Sequence, residues 1–212
     1  MLFWAALCFF CSQGTPPGVD LPAHAAQIRT LAGLLRGEAE LTARFSAHLV
    51  PGYGLVTWLM APVAMFRDGL VATRVALFLS MAGLLPALAL LLNRARLPET
   101  LCFLAAPFAF SFAYWYGFLP ELFARTLGVL AAAAWIHFRR DERPGREALA
   151  AALLCLVAFA HLLTFAVLVL CLAVLALAGP RPQLLRSLRP LVPGLLISGW
   201  SMLALGEAVG PG

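Results

Sequence analysis

Seven apolar stretches separated by short polar segments divide the chain. The apolar runs cover residues 1–12, 51–66, 70–92, 100–119, 122–138, 148–178 and 191–206. Several of them approach the length of about 20 residues that a helix needs to cross a bilayer. The pattern predicts an all-α fold, a polytopic transmembrane helical bundle with about six to seven spans that forms a single domain.

The longest polar interruption lies between the first two apolar runs and contains the stretch from Gly18 to Leu31. Asp20 follows a Pro-Pro-Gly turn, and Pro22 falls in the first helical turn, where its missing N–H costs nothing. His24 shares a face with Asp20, and apolar residues recur at helical spacing on another face at Ile28, Leu31, Leu34 and Leu35. This predicts an amphipathic juxtamembrane helix. Asp20 is either its N-cap or a functional carboxylate.

The composition favours lipid over water as the surroundings of the chain. Of its 212 residues 62% are hydrophobic and only 12% are charged, whereas soluble domains are about half apolar. All fifteen basic residues are arginine, and the net charge of +5 does not indicate nucleic acid as a partner. Five cysteines lie in apolar runs without a second ligand pair, which predicts small buried packing residues and no zinc site.

Three short connectors, at residues 93–99, 139–147 and 179–190, hold nine of the fifteen arginines. The positive-inside rule predicts that all three are cytoplasmic, so the chain between two of them crosses an even number of times. As one helix, the run 148–178 would be about 46 Å long, against a hydrocarbon core of about 30 Å. We therefore predict two short helices that meet near His161 at the outer side, with a single tilted helix as the alternative.

The other runs set the remaining topology. Residues 100–119 and 122–138 are predicted as two ordinary spans joined by an external aromatic turn. The run 51–66 is short and broken by proline and glycine. If it does not cross, residues 13–69 form an external loop with juxtamembrane helices, followed by a bundle over residues 70–208; if it crosses, the Asp20 helix is cytoplasmic.

The first run, residues 1–12, is about half a span, so we expect a partial first helix and a chain that is a fragment of a larger protein. The expected location is the plasma membrane, as an integral protein of a bacterial inner membrane.

The candidate chemistry rests on six ionisable residues, because the sequence has no glycine-rich phosphate loop, no Gly-x-Ser-x-Gly elbow and no His-Glu-x-x-His helix. On the predicted topology they gather on the outer side: Asp20, His24, Arg74, Glu121, Arg125 and His161. Structural explanations exist for several of them. Glu121 could be a helix-end acid or an i,i+4 partner of Arg125. His161 could make an interhelical hydrogen bond, and Arg74 could be an interfacial anchor. A charge deep in apolar surroundings is nevertheless a functional candidate.

This order of elements resembles the GT-C-type glycosyltransferases, which include the oligosaccharyltransferases and the lipid A aminoarabinose transferases. In that family an essential aspartate in the first external loop, comparable to Asp20, precedes a short aromatic helix that does not cross, comparable to residues 51–66. A second acidic site stands at the place of Glu121, and a helix hairpin bears a polar tip, comparable to His161. The resemblance covers the N-terminal half of such an enzyme. A lone Glu121 replaces the Asp-x-Asp of its metal-dependent members.

The resemblance implies transfer of a sugar from a polyprenyl-phosphate donor on the extracytoplasmic face, with membrane lipid as the surroundings. It implies that Asp20 and Glu121 are catalytic and that they could hold a divalent cation such as Mg²⁺ or Mn²⁺. The implied substrate-binding residues are His24, Arg74, Arg125 and His161. The alternatives are a transporter or channel component, and a non-catalytic scaffold subunit.

Overall fold

The computed structural model describes residues 2–13, 19–47, 53–178 and 181–208, and these ranges are helical without any β-strand. The predicted all-α fold is confirmed for them. The helices are α1 (Leu2–Gln13), α2 (Leu21–Leu35), α3 (Ala39–Thr42), α4 (Leu55–Phe66), α5 (Gly69–Ala95), α6 (Ala106–Ala109), α7 (Phe112–Tyr116), α8 (Leu119–Arg140), α9 (Pro144–Ala160), α10 (Leu162–Leu177), α11 (Arg181–Leu188) and α12 (Val192–Ala208). Two 3-10 segments lie at Glu99–Ala105 and Arg189–Leu191.

The centre of the bundle is formed by α5 and α8, which pack against each other, and by α9, which packs on α8. A buried hydrogen bond of 2.7 Å from Thr126 Oγ1 to Ser80 O joins the two central helices. In the described part of the chain, α5 with 27 residues and α8 with 22 residues are the two helices long and apolar enough to cross a membrane. The predicted count of six to seven spans is not confirmed.

The three arginine-rich connectors lie together at one end of this bundle. Arg186 Nη1 is 3.1 Å from Glu142 Oε2, which joins the third connector to the second. Arg94 of the first connector places Nη1 3.4 Å from His137 Nδ1 in the last turn of α8. This arrangement agrees with the prediction that all three connectors occupy the same side.

The predicted break near His161 is confirmed, because α9 ends at Ala160, α10 begins at Leu162 and His161 between them is extended. The second helix returns toward the arginine-rich end, where Arg139 Nη1 donates a hydrogen bond of 3.0 Å to Leu175 O. The single tilted helix is therefore wrong. The two helices form a hairpin with His161 at the tip opposite the arginines.

The ordinary span predicted over residues 100–119 is wrong. This part of the chain is a 3-10 segment at Glu99–Ala105 followed by the short helices α6 and α7. Pro107 lacks the N–H that a continuous helix would require, and Gly117, at a φ of 79°, ends α7 in the left-handed conformation. The segment still packs along α5 and returns the chain to the end of the bundle opposite the arginines, where α8 begins.

The short helix α4 stays on the side of the bundle that carries α2. Its 12 residues span about 18 Å, well below the thickness of a hydrocarbon core. Arg36 Nη1 at the end of α2 donates a hydrogen bond of 3.0 Å to Met65 O near the end of α4. Glu38 receives both Arg29 Nη2, at 3.1 Å, and Arg36 Nη2, at 2.6 Å. The Arg36 contact holds the end of α2 on α4 and favours the alternative in which residues 51–66 do not cross.

The cysteines only partly follow their predicted burial. Cys8 and Cys102 are buried, Cys11 and Cys155 are half-buried, and Cys171 is exposed. Cys171 lies on α10, an apolar helix whose outer face is not covered by the rest of the described chain. Cys171 is exposed because it lies on that face.

Candidate functional site

A cavity of about 420 Å³ lies where the start of α2, the start of α8 and the α9–α10 junction meet. Its lining includes four of the six predicted site residues together with apolar groups: Asp20, His24, Tyr53, Phe118, Pro120, Glu121, His161 and Leu163. The four predicted residues come from three separated parts of the sequence. The fold therefore brings two carboxylates and two imidazoles to one opening.

The Asp20 carboxylate is not used as a helix cap. Its side chain makes no capping hydrogen bond, and the residue itself is helical at φ −91° and ψ −8°. The backbone holds its position instead: Asp20 N donates to Tyr116 O at 3.1 Å, and Asp20 O accepts from His24 N at 3.1 Å. By contrast, Asp68 does cap α5, with Oδ1 accepting from Val71 N at 2.7 Å. The capping alternative for Asp20 is wrong, and its carboxylate remains available to the cavity.

His24 lies one turn after Asp20 on the same face of α2. Burial lowers the pKa of His24, and this effect outweighs the opposite influence of the Gln27 side chain and of the Asp20 carboxylate. The surroundings of His24 therefore favour its neutral imidazole. A neutral imidazole can donate one hydrogen bond and accept another, which suits contact with hydroxyl groups.

Glu121 reaches the cavity, and Arg125 lies behind it. The predicted i,i+4 pair is confirmed, with Arg125 Nη2 2.8 Å from Glu121 Oε1. Arg125 Nη1 also donates to Phe108 O at 2.7 Å and to Ser111 Oγ at 2.9 Å. Arg125 is absent from the cavity lining. Arg125 joins α8 to the broken segment, the 3-10 and short α-helices of residues 99–116, and holds Glu121 in place.

Arg74 does not join the other candidates. It lines a separate cavity of about 200 Å³ that it shares with Phe9, Ser12 and Phe78. Its Nε is buried and has no hydrogen-bond partner in the described part of the chain. The fold thus separates Arg74 from the cavity at Asp20, and a substrate contact by this residue stays a prediction.

Sequence reasoning missed Tyr53, which lines the cavity directly before α4. Its ring meets the His161 ring edge to face, with centroids 5.1 Å apart and an angle of 90° between the planes. Tyr53 also lines a second, mainly apolar cavity of about 520 Å³ between α2 and α4. An aromatic residue at the entrance of a broken apolar helix was the one signal that could have identified it.

The acids and imidazoles of the cavity do not form a ready metal site. Among the described residues, no three His, Cys, Asp or Glu side chains come close enough to hold one ion. Glu121 already pairs with Arg125. Mg²⁺ or Mn²⁺ at Asp20 and Glu121 therefore stays a prediction from the resemblance.

No protein-family model, no curated protein and no solved structure matches this chain. The chemistry of the cavity is therefore inferred from the groups that line it. These are a carboxylate without a capping role, a neutral imidazole, a glutamate held by an arginine, and a second imidazole at a helix junction.

Proposed function

We propose that the protein is an integral membrane glycosyltransferase of the GT-C type. It transfers a sugar from a polyprenyl-phosphate donor on the extracytoplasmic face of a bacterial plasma membrane. One observation carries the proposal: Asp20, His24, Glu121 and His161, chosen from the sequence as groups of one face, line one cavity.

In the proposed membrane arrangement α5 and α8 cross the bilayer, and the arginine-rich end of the bundle is cytoplasmic. The α9–α10 hairpin, α1, α12 and the broken segment before α8 complete a polytopic bundle. The cavity then opens on the extracytoplasmic side, because it lies at the opposite end of α8 from Arg139 and Arg140. The apolar cavity beyond Tyr53 offers space for part of a lipid chain.

The proposed chemistry assigns Asp20 as the general base. Its carboxylate removes the proton from an acceptor hydroxyl or amine as that group bonds to the anomeric carbon of the sugar. The bond between the anomeric carbon and the phosphate oxygen breaks, and its electron pair leaves with polyprenyl phosphate. Glu121, held by Arg125, accepts hydrogen bonds from sugar hydroxyl groups, and His24 contacts the sugar as a neutral group.

A transfer assay tests this function directly. Membranes containing the full-length protein are incubated with polyprenyl phosphate that carries a radiolabelled sugar, with membranes lacking the protein as the control. We expect label to leave polyprenyl phosphate only when the protein is present. If the label stays on the lipid while proteoliposomes take up a labelled solute, the protein is a transporter. If neither occurs, the scaffold alternative holds.

The proposed sidedness predicts opposite labelling of two introduced cysteines. In a background with Cys171→Ser, Val19→Cys lies beside Asp20 at a site that is 75% exposed, and Gly145→Cys lies in open space near the arginine-rich end. A membrane-impermeant maleimide should label the first variant in intact cells and the second only after permeabilisation. Equal or reversed labelling would contradict an extracytoplasmic cavity.

A further inference from the structure

We propose that His161 is held as the neutral imidazole with its proton on Nε2, and that this N–H donates a hydrogen bond to a phosphate oxygen of the bound substrate. The identity of the substrate, a sugar linked to polyprenyl phosphate, rests on the proposed function. The state of the ring rests on contacts within the chain alone.

His161 caps α10 with its side chain. The Thr164 N–H donates to His161 Nδ1 at 3.2 Å, and Thr164 Oγ1 lies 2.9 Å from the same nitrogen. A backbone N–H can only donate, so Nδ1 must offer a lone pair. In a neutral imidazole the proton is then on Nε2, and an imidazolium, which carries protons on both nitrogens, cannot make this cap.

The ring is fixed on two sides. Thr164 binds one nitrogen, and the Tyr53 ring packs against the imidazole edge to face. Within the described part of the chain Nε2 has no hydrogen-bond partner, although His161 lines the cavity beside Glu121. A donor that is neutral, oriented and without a partner among the described residues suits an oxygen acceptor supplied by a ligand.

The choice of residue at this position also indicates a second role. Asn, Asp, Ser and Thr are the preferred caps, and any of them would satisfy the Thr164 N–H with a shorter side chain. Histidine adds a second nitrogen on the far side of the ring. The substitution His161→Asn would retain the cap but lose that nitrogen and the ring contact with Tyr53, whereas His161→Ala would lose the cap as well, so the two variants together separate capping from the second role.

The binding test compares His161→Asn with His161→Ala in the full chain. We expect His161→Asn, which keeps the cap, to unfold closer to the wild-type temperature than His161→Ala does, while its Kd for polyprenyl phosphate rises about tenfold or more, as for loss of a hydrogen bond to a charged group. His161→Ala should lose both the cap and this affinity. Wild-type affinity in His161→Asn would overturn the proposal, whereas a failed transfer assay with intact binding would overturn only the transferase.

The ring state is read from ¹⁵N NMR of histidine-labelled protein in phosphatidylcholine nanodiscs, where the signal missing in His161→Asn identifies His161 among the four histidines. We expect an unprotonated Nδ1 and a protonated Nε2 at pH 7, with Nε2 shifting on addition of polyprenyl phosphate. A protonated Nδ1 would overturn the proposal. An equal shift with phosphatidylglycerol would assign the donor to membrane headgroups and also overturn its assignment to the substrate.

Discussion

Replacing Asp20 with alanine should reduce sugar transfer by about 10²- to 10⁴-fold, the usual contribution of a general base. The stability of the protein should change by no more than about 0.5 kcal/mol. The reason is that the carboxylate lines the cavity and makes no capping hydrogen bond to α2. Transfer and thermal unfolding are measured on the same preparation of the full-length protein.

Two further variants separate catalysis from capping. If Asp20 acted as a cap, alanine would cost about 0.5–2 kcal/mol, and asparagine, which caps equally well, would restore the wild-type behaviour. We expect Asp20→Asn to be as inactive as Asp20→Ala. The matched control is Asp141→Asn, which removes an acid paired with Arg143 and Arg146 at the other end of the bundle. An active Asp20→Asn variant would remove Asp20 from the chemistry.

The same variants have a spectroscopic signature at His24. The Asp20 carboxylate raises the pKa of this imidazole, while burial, the larger effect, lowers it. Removing the negative charge should therefore lower the pKa of His24 further. A ¹⁵N titration of the histidines detects this change whether or not the acceptor of the sugar is known.

The features that local rules control could be predicted from the sequence. The start of α2 follows from Pro22 in its first turn, and the structure begins the helix at Leu21. The hairpin at His161 follows from length, because one helix of 31 residues greatly exceeds the hydrocarbon core. The ion pair of Glu121 with Arg125 follows from their spacing of four residues on one helix.

The rotation of helices about their axes could not be predicted in this way. The predicted topology puts Arg74 and Asp20 on the same side. In the structure α5 presents Ala72, Thr73 and Ala76 to the core and leaves Arg74 half-buried toward α1. Which face of an almost uniformly apolar helix is buried depends on its neighbours. A helix of this kind has no amphipathic pattern that would fix the answer.

The broken segment before α8 accounts for the wrong prediction of an ordinary span over residues 100–119. Residues 100–119 are apolar in the sequence. An apolar run alone does not distinguish one continuous helix from the 3-10 segment and short α-helices that are present. Its irregular backbone supplies Phe108 O to Arg125 and Tyr116 O to the Asp20 amide. The site is therefore positioned by an element whose conformation depends on tertiary packing rather than on sequence period.

Gly69, the first residue of α5, should be the most sensitive packing position around the site. A Cβ at this residue would lie 2.2 Å from Ala25 O and 3.0 Å from Arg29 Cβ, both on α2. Ala25 O is a backbone atom and cannot move aside by a side-chain rotation. The methyl group added by Gly69→Ala must therefore push α2 away from α5. We expect a loss of stability at or above the upper end of the range of about 1–3 kcal/mol that is typical of overpacking.

The displacement of α2 should also move Asp20 and His24, and a shift of about 1 Å in a reacting group can cost about 10²-fold in rate. The matched control is Gly145→Ala near the start of α9, where a Cβ meets nothing within 4 Å. Because alanine favours helices over glycine, the control should be neutral or slightly stabilising. Unfolding in a denaturing detergent and sugar transfer measure the two effects. Equal behaviour of the variants would show that contact between α2 and α5 does not position the cavity.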